Sequence, residues 1–107
     1  MTRNIIQVYN DLLRITFLGG RIMITRGVLD LPSQTQAKIE RAVRCFNNFT
    51  VDNDPHGEHD FGAVDVDGVK IFWKIDYYDE KCINGSDDPA DPAKTTRVLT
   101  IMLSTEV

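Results

Sequence analysis

The chain has few of the residues that mark redox, metal or membrane proteins. It contains only two cysteines, Cys45 and Cys82, which are not in C-x-x-C spacing, so a disulfide is not expected. No apolar run approaches the length of a membrane span. The N-terminal segment is interrupted by Asn10, Asp11 and Arg14 and lacks the apolar centre of a signal peptide. We therefore expect a cytoplasmic protein without a membrane partner.

The chain also has fewer basic than acidic residues, with 12 Lys and Arg against 16 Asp and Glu. Direct nucleic-acid binding is not expected, because it needs a basic surface. Residues 1–50 carry seven basic and three acidic side chains, whereas residues 51–107 carry five and thirteen. Either the two halves attract each other within one fold, or the acidic half meets a basic partner or imitates nucleic-acid phosphates.

The overall composition, 42% hydrophobic and 26% charged, is that of a globular domain, and the length predicts a single domain over residues 1–107. Apolar residues at helical spacing predict a helix within 3–18, with Thr2 as its cap. A second apolar stripe predicts a helix over 34–48. Gly27 is expected to turn the chain between a first strand and this helix.

Strands are predicted from short β-branched runs at 21–25 and 96–104, the second of them buried and central in the sheet. Asp67-Gly68, between two alternating runs, is a strong signal for a two-residue hairpin turn. Together these elements predict an α+β domain, with two helices packed on a roughly four-stranded, mainly antiparallel sheet.

The predicted turn fixes the pairing of the two strands, because partner residue numbers must then sum to 135. Gly62 faces Trp73 and leaves room for its ring. Extended further, the same register places His59 opposite Asp76, with Lys74 beside them on one face. These three side chains are the catalytic candidates, with His59 as an imidazole oriented by Asp76 and Lys74 as an electrostatic helper.

A polar cluster, "DNDPHGEHDFG" at residues 52–62, contains both histidines of the chain. His56, Glu58 and His59 are candidate metal ligands. The spacing matches no strong metal motif, and a calcium loop is rejected because Ala63 occupies the position of its bidentate Glu. A divalent metal is the cofactor the cluster suggests, although a site without one is preferred. The alternative is a structural loop, in which aspartates cap turns.

Acidic side chains in two loops are candidates for binding a basic partner. The second loop, residues 84–95, is rich in Gly, Pro and Asp, and its aspartates are expected to bond nearby backbone N–H groups. The binding candidates from both loops are Asp52, Asp54, Glu58, Asp60, Asp87, Asp88 and Asp91.

Several segments together resemble a small family of proteobacterial proteins known as domain of unknown function 3768. They are "GGRIMITRGV", "FTVDNDPHGEHDFGAV", "WKIDYYD" and "GSDDPADPAKTTRVLTIML". The resemblance implies no biochemical activity. It implies small, free-standing proteins carried by plasmids and other mobile elements, which suggests an anti-defence role against a CRISPR or restriction complex.

Two functions are therefore expected from this sequence. The first is a small acidic interaction protein that inhibits a host protein or nucleoprotein complex by binding its basic surface. The alternative is a small metal-assisted hydrolase or nuclease-like enzyme that uses the His/Asp/Glu cluster of residues 52–60.

Overall fold

A computed structural model of the chain describes residues 4–107. Within that range it contains three α-helices, four strands and a final 3₁₀ turn. Their bounds are α1 Ile5–Thr16, β1 Arg21–Ile24, α2 Arg26–Leu29, α3 Ser33–Arg44, β2 Phe61–Val66, β3 Val69–Tyr78, β4 Thr96–Leu103 and the 3₁₀ turn Ser104–Glu106. No helix in the described part of the chain is long and apolar enough to cross a bilayer.

The four strands form one sheet in the order β1-β4-β3-β2. β1 runs parallel to β4, and the other two pairings are antiparallel, so the sheet is mixed but mainly antiparallel. The predicted α+β class is confirmed, and β4 is a central strand as expected. The one additional helix is α2, a single turn in the place where Gly27 was expected only to reverse the chain.

The hairpin forms as predicted. Asp67 and Gly68 have φ values of 52° and 79°, which is the left-handed pair that a two-residue hairpin turn requires. Pairing runs from Val66 opposite Val69 to Phe61 opposite Lys74. A Cβ atom at Gly62 would collide with the indole of Trp73, so the glycine is needed for the ring to fit.

Helices α1 and α3 pack on one face of this sheet and bury its core. The buried apolar side chains are Leu13, Val28, Ile39, Val43, Val66, Ile71, Trp73, Ile75, Leu99 and Ile101. Trp73 lies at their centre, fully buried, with Phe46 packed edge-on against its ring at 5.5 Å between centroids. Because β3 side chains alternate in direction, Lys74 and Asp76 point away from this core.

Helix α1 is capped by Asn4, two residues further along the chain than the cap predicted from the sequence. The Asn4 side chain accepts a hydrogen bond from the backbone N–H of Gln7, as an N-cap does. Thr2, which was predicted for this role, lies outside the described residues. The helix ends at Phe17, whose φ of 61° makes the left-handed C-cap.

Candidate functional site

Helix α1 directs its polar side chains into the protein. Gln7, Asn10, Asp11 and Arg14 recur at helical spacing and lie on one stripe. Asn10 is 0% exposed and Arg14 is 2% exposed. Buried polar groups need partners, and this stripe finds them in the loop between α3 and β2 and in two strands of the sheet.

His59 is the centre of the contact between α1 and that loop. Its φ of 56° is left-handed, which is unusual for a residue other than glycine and turns the chain just before β2 begins. The imidazole stacks flat on Phe49, with 3.7 Å between ring centroids and 4° between planes. Its Nδ1 lies 2.9 Å from Oδ1 of Asp11 on α1.

The hydrogen-bond network assigns the proton of His59. Asp11 can only accept, so Nδ1 carries the hydrogen. On the other side of the ring, Nε2 lies 3.2 Å from the amide nitrogen of Gln7, which also donates to the Gly57 carbonyl at 2.8 Å. The imidazole is therefore held at both ring nitrogens. A carboxylate oxygen of Asp54 also lies 3.5 Å from Nε2.

Arg14 attaches the end of α3 to α1. Its Nη1 donates to the carbonyls of Val43, Arg44 and Phe46 at 2.7 to 3.2 Å, where the helix leaves backbone acceptors unsatisfied. A cation at a helix C-terminus also complements the helix dipole. Nη2 of Arg14 lies 3.2 Å from Oδ1 of Asp11, so the same carboxylate binds both Arg14 and His59.

Asn10 connects α1 to the other side of the site. Its Oδ1 accepts from Nε of Arg97, and its Nδ2 donates to the hydroxyl of Tyr77 at 2.7 Å and to the carbonyl of Glu58 at 3.0 Å. The Tyr77 hydroxyl in turn donates to the Glu58 carboxylate at 3.0 Å. Arg97 also donates to the Pro89 carbonyl in the loop between β3 and β4. One chain of hydrogen bonds thus joins both acidic loops to the sheet.

Burial governs the ionisation of this network. It raises the pKa of Tyr77 well above its ordinary value, and the Glu58 carboxylate adds to the effect, so the phenol stays protonated. Burial also lowers the pKa of Arg97, but a guanidinium starts so high that it stays charged at neutral pH. We call the eight side chains of this network the polar clasp: Gln7, Asn10, Asp11, Arg14, Glu58, His59, Tyr77 and Arg97.

The predicted catalytic group is not assembled. Lys74 and Asp76 form an ion pair with each other at 3.0 Å, on the sheet face that points away from the core. His59 lies on the opposite, helix-covered face with Phe49 and Asp11. The expected pairing of His59 with Asp76 is wrong because strand β2 begins at Phe61, so the register does not extend to a residue with a left-handed backbone.

The predicted metal ligands do not converge either. His56 is exposed, Glu58 accepts from Tyr77, and both nitrogens of His59 are engaged by α1. Within residues 4–107, no group of three or more His, Cys, Asp or Glu side chains is arranged to hold a metal ion. A shallow, open depression of about 570 Å³ borders both histidines and Asp54.

The predicted binding residues do come together at one end of the sheet. The loop that enters β2 and the loop that joins β3 to β4 leave the sheet at the same end. We call this end the acidic pole, and its nine carboxylates are Asp52, Asp54, Glu58, Asp60, Asp79, Glu80, Asp87, Asp88 and Asp91. Lys81, Lys94 and the buried Arg97 are the basic residues of the same loops and their base.

Some acids of this pole also shape its loops, as the sequence predicts. Asp88 accepts from the backbone N–H of Ala90, and Asp91 accepts from that of Ala93. Asp54 accepts from the backbone N–H of His59 at 3.1 Å. Asp52 and Asp87 are exposed.

Crowding at the acidic pole is visible at Asp60. Burial raises the pKa of its carboxyl above the ordinary range, and the negative charges of Glu58 and Asp54 raise it further. A raised pKa means that the ionised form is disfavoured in the folded protein, so this acid opposes folding at neutral pH.

Sequence reasoning missed the contribution of α1. Asn10, Asp11 and Arg14 were treated as polar interruptions of an apolar helix. Their signal is nevertheless present, since Gln7, Asn10, Asp11 and Arg14 follow the i, i+3, i+4, i+7 spacing of one helical face.

Comparison with known proteins identifies a family but no activity. The model of a family described as a protein of unknown function, DUF3768, matches residues 24–106, well over half of the chain. The chain belongs to this family. No curated protein and no solved structure matches it. The matched range includes both loops of the acidic pole and begins after α1.

Proposed function

We propose that this DUF3768 protein is a small acidic interaction protein that binds a basic surface of its partner through the acidic pole. The observation that carries the proposal is the convergence of two acidic loops, from distant parts of the sequence, at one end of the sheet. Complementary charge speeds encounter and selects the partner, and these are the properties such a surface supplies.

The polar clasp gives the acidic pole a fixed shape. Arg97 contacts Pro89 in one loop, and Asn10 joins Arg97 to Glu58 in the other. The two loops are therefore held relative to each other by buried hydrogen bonds rather than by their exposed carboxylates. Exposed acids such as Asp52 and Asp87 are therefore not needed to hold the loops together. Because the loops are already ordered, these acids lose little conformational freedom when a partner binds.

The unfavourable ionisation of Asp60 in the folded protein supports a binding role for the acidic pole. A carboxyl whose pKa is raised by burial and by two acidic neighbours weakens the fold. Groups that weaken a fold tend to occur where function requires them. A neutral residue at position 60 would serve a purely structural loop better.

The partner we propose is a cytoplasmic host protein or nucleoprotein complex with a basic channel. Machines that handle nucleic acids present such channels, and a cluster of carboxylates competes there with phosphates. The resemblance to proteins carried by mobile elements favours complexes of the CRISPR or restriction type, which makes the proposed effect inhibition.

The test compares two variants of equal net charge in affinity capture from host lysate. Asp52→Lys with Asp87→Lys reverses two exposed charges at the acidic pole. Asp30→Lys with Asp65→Lys reverses two exposed charges elsewhere, just after α2 and in β2. The bound complex is identified, and its capture is repeated at low and high salt and with an excess of double-stranded DNA as competitor.

We expect the wild type and the Asp30/Asp65 variant to capture the same basic complex at low salt and to lose it to salt and to DNA. The Asp52/Asp87 variant should fail to capture it. Equal loss in both variants would mean that net charge alone is responsible, and capture indifferent to Asp52 and Asp87 would refute the proposal.

A second candidate, the metal-assisted hydrolase, draws support from one observation. Asp11 holds Nδ1 of His59 at 2.9 Å, the arrangement by which a carboxylate orients a general-base imidazole. Against it, Nε2 is occupied by Gln7, and no Ser, Thr or Cys side chain of residues 4–107 forms a hydrogen bond with the His59 ring.

Metal content separates the two candidates. The purified protein is analysed for bound metal before and after treatment with a chelator, beside His56→Ala and His59→Ala. Stoichiometric metal that disappears in both variants would favour the enzyme. A metal-free protein in which His59→Ala lowers thermal stability, while His56→Ala does not, would favour the polar clasp.

A further inference from the structure

The chain contains a single asparagine followed by glycine, at Asn84-Gly85 in the loop between β3 and β4. Asparagine is thermally labile, because the backbone nitrogen of the next residue can attack the carbonyl carbon of its side chain. Glycine in the next position favours this attack, since it has no Cβ to obstruct the approach and its backbone is flexible. Both residues are exposed. The dipeptide therefore loses ammonia readily wherever the fold leaves the attacking nitrogen free.

The fold leaves the backbone N–H of Gly85 free. Tyr78, the last residue of β3, stands opposite Gly85 in an antiparallel bridge. The two hydrogen bonds of this bridge lie on either side of the pair, since Asp79 donates to the Asn84 carbonyl at 2.8 Å and Ser86 donates to the opposite strand at 3.1 Å. In a pair of this kind, the N–H groups of the two central residues point away from each other. Within residues 4–107 the Gly85 N–H forms no hydrogen bond, so its nitrogen is able to react.

Asn53, in the other loop of the acidic pole, is held against the same reaction. Its side-chain oxygen accepts from the backbone N–H of Thr50 at 2.7 Å, and its amide donates to the Asn48 carbonyl at 2.8 Å. The nitrogen that would attack it belongs to Asp54 and donates to the Thr50 carbonyl at 2.9 Å. Asn53 is exposed, as Asn84 is, so exposure does not distinguish the two sites. The difference lies in the hydrogen bonds.

Asp67-Gly68 at the hairpin turn could form the same cyclic imide, but its side chain is also held. Asp67 accepts from Lys38 at 3.0 Å and from Thr35 at 2.8 Å, and these bonds lower the pKa of its carboxyl. An ionised carboxylate resists attack by a nitrogen, whereas the neutral amide of an asparagine does not. Of these three sites, the fold therefore leaves Asn84 the most reactive.

We propose that Asn84 is a site of spontaneous deamidation in the folded protein. The Gly85 nitrogen forms a bond to Cγ of Asn84, and ammonia leaves with the proton of that nitrogen. Water then opens the cyclic imide. Cleavage between the nitrogen and Cγ gives aspartate, whereas cleavage between the nitrogen and the main-chain carbonyl carbon gives isoaspartate, in which the chain continues through Cγ. Water is the only co-reactant, and no enzyme is required.

The reaction changes the charge of the acidic pole. The backbone N–H of Ile83 is the main cause that lowers the pKa of the Asp79 carboxyl, and the side-chain amide of Asn84 adds to this effect. Both products carry a carboxylate in place of that amide, so a group that favoured ionised Asp79 is replaced by one that repels it. The acidic pole thereby gains a negative charge beside Asp79 as the protein ages. This change goes beyond the proposed function, because it needs no partner.

Incubation of the full chain at physiological temperature, followed by tryptic digestion and mass spectrometry, tests the proposal. Trypsin cleaves after Lys81 and Lys94, and the peptide between them has Asn84 as its single asparagine. Deamidation replaces NH2 by OH in this peptide, and a sample digested at the start provides the baseline. The modified fraction should grow with time, and faster at alkaline than at neutral pH, because the attacking nitrogen must lose its proton. Isoelectric focusing should show a more acidic band appearing in parallel.

Gly85→Ala is the matched control, because it preserves both Asn84 and the net charge. A Cβ at position 85 would lie 3.9 Å from the Tyr77 carbonyl oxygen, an ordinary contact, and the backbone of Gly85 is not left-handed. The variant should melt like the wild type and deamidate at least about tenfold more slowly, which corresponds to about 1.4 kcal/mol in the activation barrier. Asn84→Gln keeps an amide on a longer side chain and should leave the peptide unmodified.

Guanidinium chloride removes the fold and shows what the fold contributes at each site. The rate at Asn84 should change little on unfolding, whereas the rate at Asn53, located by fragmentation of its own peptide, should rise. The proposal is overturned if the Asn84 peptide stays unmodified in the folded protein while it reacts in the denaturant. It is equally overturned if Gly85→Ala deamidates at the rate of the wild type.

Discussion

The two ends of the sheet use aspartate in opposite ways. At the hairpin end, Asp67 accepts from Lys38 at 3.0 Å and from Thr35 at 2.8 Å, and these bonds hold the pKa of its carboxyl below the ordinary range. At the acidic pole, burial and neighbouring acids raise the pKa of Asp60. The same residue type therefore supports the fold at one end and opposes it at the other.

The difference distinguishes an acid that stabilises the fold from acids whose presence the fold does not explain. An acid with partners, as at the hairpin, is explained fully by the fold it stabilises. Acids crowded together without enough cations are tolerated only because buried groups such as Asn10 and Arg14 hold their loops in place. The comparison can be tested by substituting first the buried residues that support the acidic pole and then one aspartate at each end of the sheet.

The largest effect is expected from Arg14→Ala. This change removes three bonds to the end of α3 and leaves Asp11 without its cation, so unfolding should become easier by about 3–5 kcal/mol, as for broken buried ion pairs. Urea unfolding followed by circular dichroism measures the loss. Arg41→Ala, which removes an exposed arginine from the same helix end, is the control, and an equal loss there would contradict the buried role.

Asn10→Ala should have the next largest effect. It removes one hydrogen bond each from Arg97, Tyr77 and the Glu58 carbonyl, and we expect a loss of about 2–3 kcal/mol. Hydrogen exchange should then become faster in both acidic loops while the hairpin at Asp67 stays protected. Uniform acceleration across the molecule would mean that Asn10 does not specifically hold the pole.

A smaller loss is expected from Asp67→Asn, which preserves the left-handed turn but not the charge. Because the pKa of Asp67 is lowered in the folded state, its contribution is complete above the unfolded value of about 3.9 and disappears as the pH falls through the lower, folded value. Melting temperatures of the two proteins should differ at pH 7 and converge in acid. A difference that persists at low pH would assign the effect to shape rather than charge.

The smallest effect, and the only stabilising one, is expected from Asp60→Asn. The raised pKa means that the folded state binds this proton more tightly than the unfolded state, so the ionised acid is unfavourable at neutral pH. The variant should gain at most about 1 kcal/mol at pH 7, the scale of partly exposed charges. The gain should shrink as the pH falls and Asp60 takes up its proton. Destabilisation at pH 7 would contradict the comparison.

Local rules predicted the hairpin and failed immediately beyond it. The Asp67-Gly68 turn determines the pairing of every residue that remains in the strand, which is why Gly62 and Trp73 were matched correctly. Nothing in the pattern of alternation marks the residue at which pairing stops. His59 has a left-handed backbone, and its ring is held by Asp11 and Gln7 of α1, which is distant in sequence, so these contacts leave no local signal.

The sequence predicted the loops that form the acidic pole but not the buried residues that support them. Both acidic loops were identified from composition, and the structure brings their carboxylates to one end of the sheet. The buried partners Asn10, Arg14 and Arg97 were not identified, because polar residues are usually exposed and the sequence does not state which face of α1 is covered. Arg97 in particular occupies a core position of β4, where the alternation of the strand predicts an apolar residue.

The single tryptophan provides an intrinsic fluorescence probe of this part of the protein. Trp73 is fully buried, its indole nitrogen has no hydrogen-bond partner within the described residues, and Phe49 separates it from the His59 ring. Its emission should therefore be strongly blue-shifted while the loop is closed over it. Any event that lifts Phe49 away, whether capture of a ligand or loss of the clasp, would move the spectrum to longer wavelength, without an attached dye.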